Sequence, residues 1–219
     1  MKKDLLILCI VAVILVFIIT GTKIQSVDDY YLTHLDEKTD DSETVFLSIE
    51  CRTLLELTNW NYLDDNLKKH VPEDGVILGL RDGDGNAVFD ENGDIAGIEY
   101  VLRSKDTSFN ILKGCKGINL RRSKDTVFDI LDRAVRHNKI KMVHQDAPFN
   151  VYNSVYVQEI NYLGEFDGGE LSGWVYSVNG AFPNYGCSAY IPKNGDRIEW
   201  KYTCDLGRDV GMDMGEWQK

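Results

Sequence analysis

The stretch Thr126-Val-Phe-Asp-Ile-Leu-Asp-Arg-Ala-Val135 decides the fold. Thr126 carries the short hydroxyl side chain that accepts the orphan amides at a helix start, and Asp129 stands three residues on to return the bond. Behind that cap, Val127, Ile130, Leu131, Ala134 and Val135 recur at the spacing that lays one apolar stripe along a helix. A capped helix with a single apolar side needs a partner surface to cover that side.

The flanking sequence supplies strands. Val45, Leu47 and Ile49 alternate with Phe46, Ser48 and Glu50, which is the period-two pattern of a half-buried strand. Val76 to Leu78, Ile140 to Val143, Val155 to Ile160, Trp174 to Val178 and Arg197 to Thr203 read as further strands. In the last of these, Ile198, Trp200 and Tyr202 share one face, and Arg197, Glu199 and Lys201 the other. Asn179-Gly180 and Asn194-Gly195-Asp196 provide turns, and Trp60 to Lys69 has helical character. The order predicts an α+β fold, a mixed sheet around one main helix.

Residues 80–115 read as an insertion rich in Gly and Asp. They end in Arg103-Ser-Lys-Asp-Thr-Ser-Phe-Asn-Ile-Leu112, which matches Arg122-Ser-Lys-Asp-Thr-Val-Phe-Asp-Ile-Leu131 at eight of ten positions. One pair of copies is a local duplication, since stacked arrays need three or more units. Gly114 interrupts the first copy, so the second is expected to carry the helix.

Upstream, Lys2 and Lys3 precede an apolar run from Leu5 to Ile19. A basic start before such a run is an export signal, and no small-residue cleavage pair follows it. Residues 1–21 are therefore expected to stay as a transmembrane signal anchor, with a cleaved, secreted form as the alternative. The positive end fixes the N-terminus in the cytoplasm and places the remainder outside a bacterial cell membrane. Residues 22–42 read as an acidic flexible spacer, 43–211 as the folded domain and 212–219 as a tail.

The formal net charge of −11 argues against nucleic acid as a partner. Cys51, Cys115, Cys187 and Cys204 lie outside the anchor and permit two disulfides in three connectivities. No Cys-x-x-Cys occurs, and His34, His70, His137 and His144 share no metal-ligand spacing. Asp82-Gly-Asp-Gly-Asn86 with Asp90 opens like a calcium loop on Asp82, Asp84, Asn86 and Asp90. Ala87 then stands where the loop needs glycine and Gly93 where it needs a bidentate glutamate, so solvated turns account for it more simply. No nucleophile, zinc-protease or phosphate-loop motif is present, and no enzymatic activity and no cofactor are expected.

Leu171-Ser-Gly-Trp-Val-Tyr-Ser-Val-Asn-Gly180, Phe182-Pro-Asn-Tyr-Gly-Cys-Ser-Ala-Tyr190 and Asn194-Gly-Asp-Arg-Ile-Glu-Trp200 look familiar together with the helix start. With Ser48-Ile-Glu-Cys51 and Tyr202-Thr-Cys-Asp-Leu-Gly207, they resemble the transcobalamin C-terminal-like family, a bacterial domain of unknown function. The resemblance implies a β-grasp fold in exported proteins, related to the smaller domain of cobalamin carriers. In those carriers it closes over cobalamin held by a helical domain, and this sequence has no such helical domain. Relatives usually have cysteine where Gly168 stands in Phe166-Asp-Gly-Gly-Glu170. In the implied fold the first and last strands are central parallel neighbours, and strand parity puts Cys51 and Cys204 on one face. The expected bridge is Cys51–Cys204, with Cys115–Cys187 as a possible second.

For binding, the aromatic and glycine-rich segment 173–190 is the candidate, through Trp174, Tyr176, Phe182, Asn184, Tyr185 and Tyr190. The expected ligand is a corrinoid or similar small molecule shared with a partner. The alternative is a protein- or glycan-interaction module at the cell surface, without a small-molecule ligand.

Overall fold

A computed structural model describes residues 42–106, 122–146 and 154–213. The expected anchor, residues 22–41 of the spacer, most of the first repeat copy, Cys115 and residues 214–219 lie outside these. Among the described residues, no helix is long and apolar enough to cross a membrane.

The central pair is β1 (Thr44–Glu50) and β10 (Arg197–Thr203), which run parallel, with Leu47 opposite Ile198 and Ile49 opposite Trp200. β9 (Gly173–Val178) lies antiparallel on the far side of β10, with Tyr176 opposite Trp200 and Trp174 opposite Tyr202. β2 (Val76–Leu78) and β3 (Ile98–Val101) share the other edge of β1, one at each end of it. The sheet is mixed, as expected, but β3 falls inside the stretch read as an insertion. Its Tyr100 pairs with Val45 and is buried in the core.

The helix forms where the cap predicts. It spans Val127–His137, and Thr126 and Asp129 close a capping box. Val127, Ile130, Leu131, Ala134 and Val135 are all buried, in one core with Val45, Leu47, Ile49, Ile198, Trp200 and Tyr202. We call it α3. Within Trp60 to Lys69, read as helical, the structure has the single turn α2 (Asp65–Lys68), capped by the Asp64 carboxylate, and another single turn, α1 (Leu57–Trp60), comes just before it.

Three further strands form a separate antiparallel sheet, β6 (Met142–Gln145), β7 (Tyr156–Ile160) and β8 (Leu163–Gly164). β7 folds straight back into β8 through Asn161 and Tyr162, both at positive φ (53° and 68°), so it does not continue the main sheet.

The duplicated segments meet each other. β4 (Ser104–Asp106) pairs antiparallel with β5 (Arg122–Lys124), placing Lys105 opposite Ser123. The two Arg-Ser-Lys-Asp copies are thus the two arms of one ribbon.

Residues 79–97 cover the face of β10 that carries Arg197, Glu199 and Lys201. Two loops eight residues apart share one build: Asp82 and Asp90 each accept the amides two and four positions on through one carboxylate oxygen. Three backbone bonds then close a ring, from Leu80 to Ala96 (2.7 Å), Val88 to Leu80 (2.9 Å) and Ala96 to Val88 (2.8 Å). The cover is latched by charge. Asp90 pairs with Arg197, which also donates to the Ile95 carbonyl, while Lys201 lies 3.6 Å from Glu50, 3.6 Å from Glu199 and 3.8 Å from Asp94. Ser48, Glu50, Ser177 and Glu199 are buried beneath it.

Candidate functional site

The hairpin after β9 builds the site. Asn179 and Gly180 both take positive φ (52° and 77°), and Val178 and Ala181 exchange both backbone bonds across them. This is the two-residue turn that Asn-Gly favours. The hairpin stops at that single bridge, because Pro183 follows and the chain leaves as a loop.

A cavity of about 360 Å³ opens there, lined by Phe182, Pro183, Asn184 and Tyr185 on one side and by Gly211 and Asp213 on the other. Methyl groups built on Gly180 or Gly211 would meet nothing within 4 Å, so its rim is open. Three of the six expected binding residues, Phe182, Asn184 and Tyr185, line this cavity.

Tyr176 and Tyr190 stand behind it. The Tyr176 hydroxyl donates to the Tyr185 carbonyl at 2.6 Å and fixes the loop to β9. Its ring lies 5.5 Å from Trp200 and 6.4 Å from Tyr190, which in turn lies 6.0 Å from Tyr185. Burial, with Cys187 and the neighbouring tyrosines adding, pushes the Tyr176 hydroxyl well above its ordinary range, so it stays a neutral donor.

Trp174 is a correction. It is buried in the core, edge-on to Tyr202 at 5.2 Å, with Nε1 donating to the Leu163 carbonyl at 2.8 Å. Its even step along β9 from Val178 puts it on the core side, and it does not line the cavity.

Gly211 and Asp213 were missed. They follow β10 and return beside the turn, and nothing in their sequence marks them beyond a turn glycine.

The cysteine pairing is also corrected. Cys51, Cys187 and Cys204 are free thiols, and the Cys115 half of the second expected bridge lies outside the described residues. Parity placed Cys51 and Cys204 correctly on one face, but register separates them. Cys51 follows the Glu50–Lys201 pair by one step and Cys204 follows it by three. Burial raises all three thiols, Cys187 to about 12 and Cys204 to about 11. None is a thiolate at neutral pH.

Two of the four calcium candidates, Asp82 and Asp90, are otherwise engaged. The amides of Asp84 and Asn86 occupy the Asp82 carboxylate, and the Arg197 guanidinium on Asp90 places a positive charge where a cation would sit. Among the described residues, no group of three or more His, Cys, Asp or Glu side chains is placed to hold a metal ion.

Residues 124–204 match a family described as a domain of unknown function, DUF4430. The match runs from the start of α3 to the end of β10 and contains the turn, the aromatic loop and Cys204. No curated protein matches the chain. The first strands and the cover over β10 lie outside the matched stretch.

Proposed function

We propose that the chain is a membrane-tethered extracytoplasmic ligand-binding domain of transcobalamin C-terminal-like, β-grasp type, without catalytic activity. The observation that carries this is the open cavity at residues 180–185, where Phe182, Asn184 and Tyr185 sit on a rigid hairpin. Exposed aromatics on a fixed scaffold are common ligand contacts. The parallel β1–β10 pair with α3 across it supports the β-grasp reading. The basic start and apolar run at 1–21 support the tether.

At about 360 Å³ the cavity is at the small end of ligand sites. A corrinoid is larger, so in this reading one edge of it enters the cavity and a partner covers the rest. The second reading, a glycan-interaction module, is favoured by Asn184 and Asp213 beside the exposed Tyr185 ring, a combination that suits one sugar ring.

The test is calorimetric titration of the full chain with cobalamin, cobinamide and a panel of monosaccharides. Binding that Tyr185→Ala weakens and Tyr162→Ala does not supports the site, since Tyr162 is also an exposed tyrosine but lies at the β7–β8 turn. Heat for sugars and none for corrinoids selects the second reading, and no heat for any of them rejects the cavity as a small-molecule site.

A further inference from the structure

A second surface is held out of the core at a conformational cost. Tyr62, Phe166, Leu171 and Leu206 are 69%, 64%, 42% and 46% exposed. Two of them, Phe166 and Leu206, sit at positive φ (71° and 51°), a region that bulky side chains avoid. Three segments bring the four together. Leu206 donates its amide to the Leu171 carbonyl at 3.0 Å, Phe166 donates to Ser172 at 3.1 Å, and a Cβ on Gly169 would stand 4.0 Å from the Tyr62 ring.

The support beneath is rigid. The buried Tyr202 hydroxyl accepts from the Gly168 amide at 3.0 Å and donates to the Gly164 carbonyl at 2.6 Å, pinning the loop that carries Phe166. The loop that carries Leu206 is pinned by Asp209, which takes the Thr203 hydroxyl and the Cys204 amide. Strained residues persist where the surroundings over-determine them, and such positions gather at functional surfaces.

The segments that carry the surface are mainly acidic. Glu165, Asp167 and Glu170 flank Phe166 and Leu171, and Asp205 and Asp209 flank Leu206. The cation in the second loop, Arg208, is bound to Asp205. A second copy would bring the same carboxylates against these, and an anionic bilayer surface would be repelled in the same way. We propose that Tyr62, Phe166, Leu171 and Leu206 form a docking surface for an apolar segment flanked by Lys or Arg on a partner protein. This surface is independent of the cavity at 180–185.

The test uses the full chain in nanodiscs of zwitterionic lipid and a short fluorescent peptide with a Leu-Leu-Phe centre between lysines. Two comparison peptides exchange the lysines for glutamates or the apolar centre for serines. Phe166→Gly and Leu206→Gly suit positive φ, so both variants should melt no lower than the parent while losing the side chain that docks. The expected result is binding of the first peptide alone, weakened tenfold or more in either variant and weakened by added salt. Equal binding of the serine-centred or glutamate-flanked peptide, or an unchanged affinity in both variants, overturns the proposal. Self-association of the full chain, or attachment to phosphatidylglycerol vesicles, that disappears with Phe166→Gly also overturns it, by placing a second copy or a bilayer on this face.

Discussion

The Sγ of Cys204 lies 3.1 Å from the point where a Cβ on Gly168 would stand. An S–S bond of about 2.05 Å sets the Cβ-to-Sγ separation across a disulfide at about 3 Å, so the backbone already offers bridging geometry. We expect the Gly168→Cys variant to form a disulfide between its introduced thiol and Cys204 without a reductant, seen by mass mapping of non-reduced peptides. Closing that loop should contribute about 4 kcal/mol, reduced by the tight contacts the new Cβ makes with Leu54 and Tyr202 (3.0 Å each). Gly168→Ala brings the same contacts and no bridge, and is expected to be less stable than the parent. Free thiols in the cysteine variant would show that the register is wrong.

Trp174 and Tyr185 belong to one sequence block and should respond oppositely. Trp174→Ala empties a core position and leaves the Leu163 carbonyl without its donor, so about 3–5 kcal/mol of stability should be lost. Tyr185→Ala removes a ring that is 58% exposed, and the stability change should stay within about 0.5 kcal/mol. Urea denaturation of both variants decides it. Comparable losses would mean that the loop is part of the core and not a free binding surface.

That contrast also measures what was legible in the residues alone. Period two fixed which face each residue of β1, β9 and β10 takes, and the cap and stripe fixed α3, because those signals are local. Residue type was less use for function, since Trp174, singled out as an aromatic, stands on the face of β9 that is buried. The Cys51–Cys204 pairing failed because parity gives a face and says nothing of register. The cover over β10 was illegible for a different reason. Its latch joins Asp90 to Arg197, 107 positions apart, and each residue alone reads as solvated. Gly211 and Asp213 reach the cavity only through the return of the chain after β10, which no short-range pattern encodes.

The Asp90–Arg197 latch should be visible as a pH effect. The Arg197 guanidinium, helped by the amides of Asp94 and Asn92, holds the Asp90 carboxyl below its ordinary value of 3.8. A carboxyl depressed in the folded state contributes stability that is present above the unfolded value and is lost as pH falls through the folded one. The urea midpoint of the parent should therefore fall on acidification through pH 3.8, where Asp90 in the unfolded chain is half-protonated. Asp90→Asn should have a lower midpoint at neutral pH and a shallower fall between about pH 5 and pH 2. Parallel profiles for the two proteins would show that the latch contributes nothing to folding.

Asp125 gives the duplicated Arg-Ser-Lys-Asp segment its structural purpose. Its carboxylate receives Arg133 at 3.0 Å and the Arg103 amide at 3.1 Å, tying α3 to the first arm of the β4–β5 ribbon. Both side chains are nearly closed to solvent, at 8% for Arg133 and 3% for Asp125. Arg133 also donates to the Val101 carbonyl at 2.7 Å, which carries the tie into β3 and the main sheet. Removing one member of a buried pair leaves the other desolvated, so Asp125→Ala should cost about 3–5 kcal/mol. Replacing both charges removes that penalty, and Asp125→Ala with Arg133→Met should recover a large part of the loss. A double-mutant cycle by chemical denaturation reads the coupling directly. Strictly additive losses would mean that the arginine finds enough solvent or carbonyl partners alone, and that the ribbon is held to the helix by its backbone bonds.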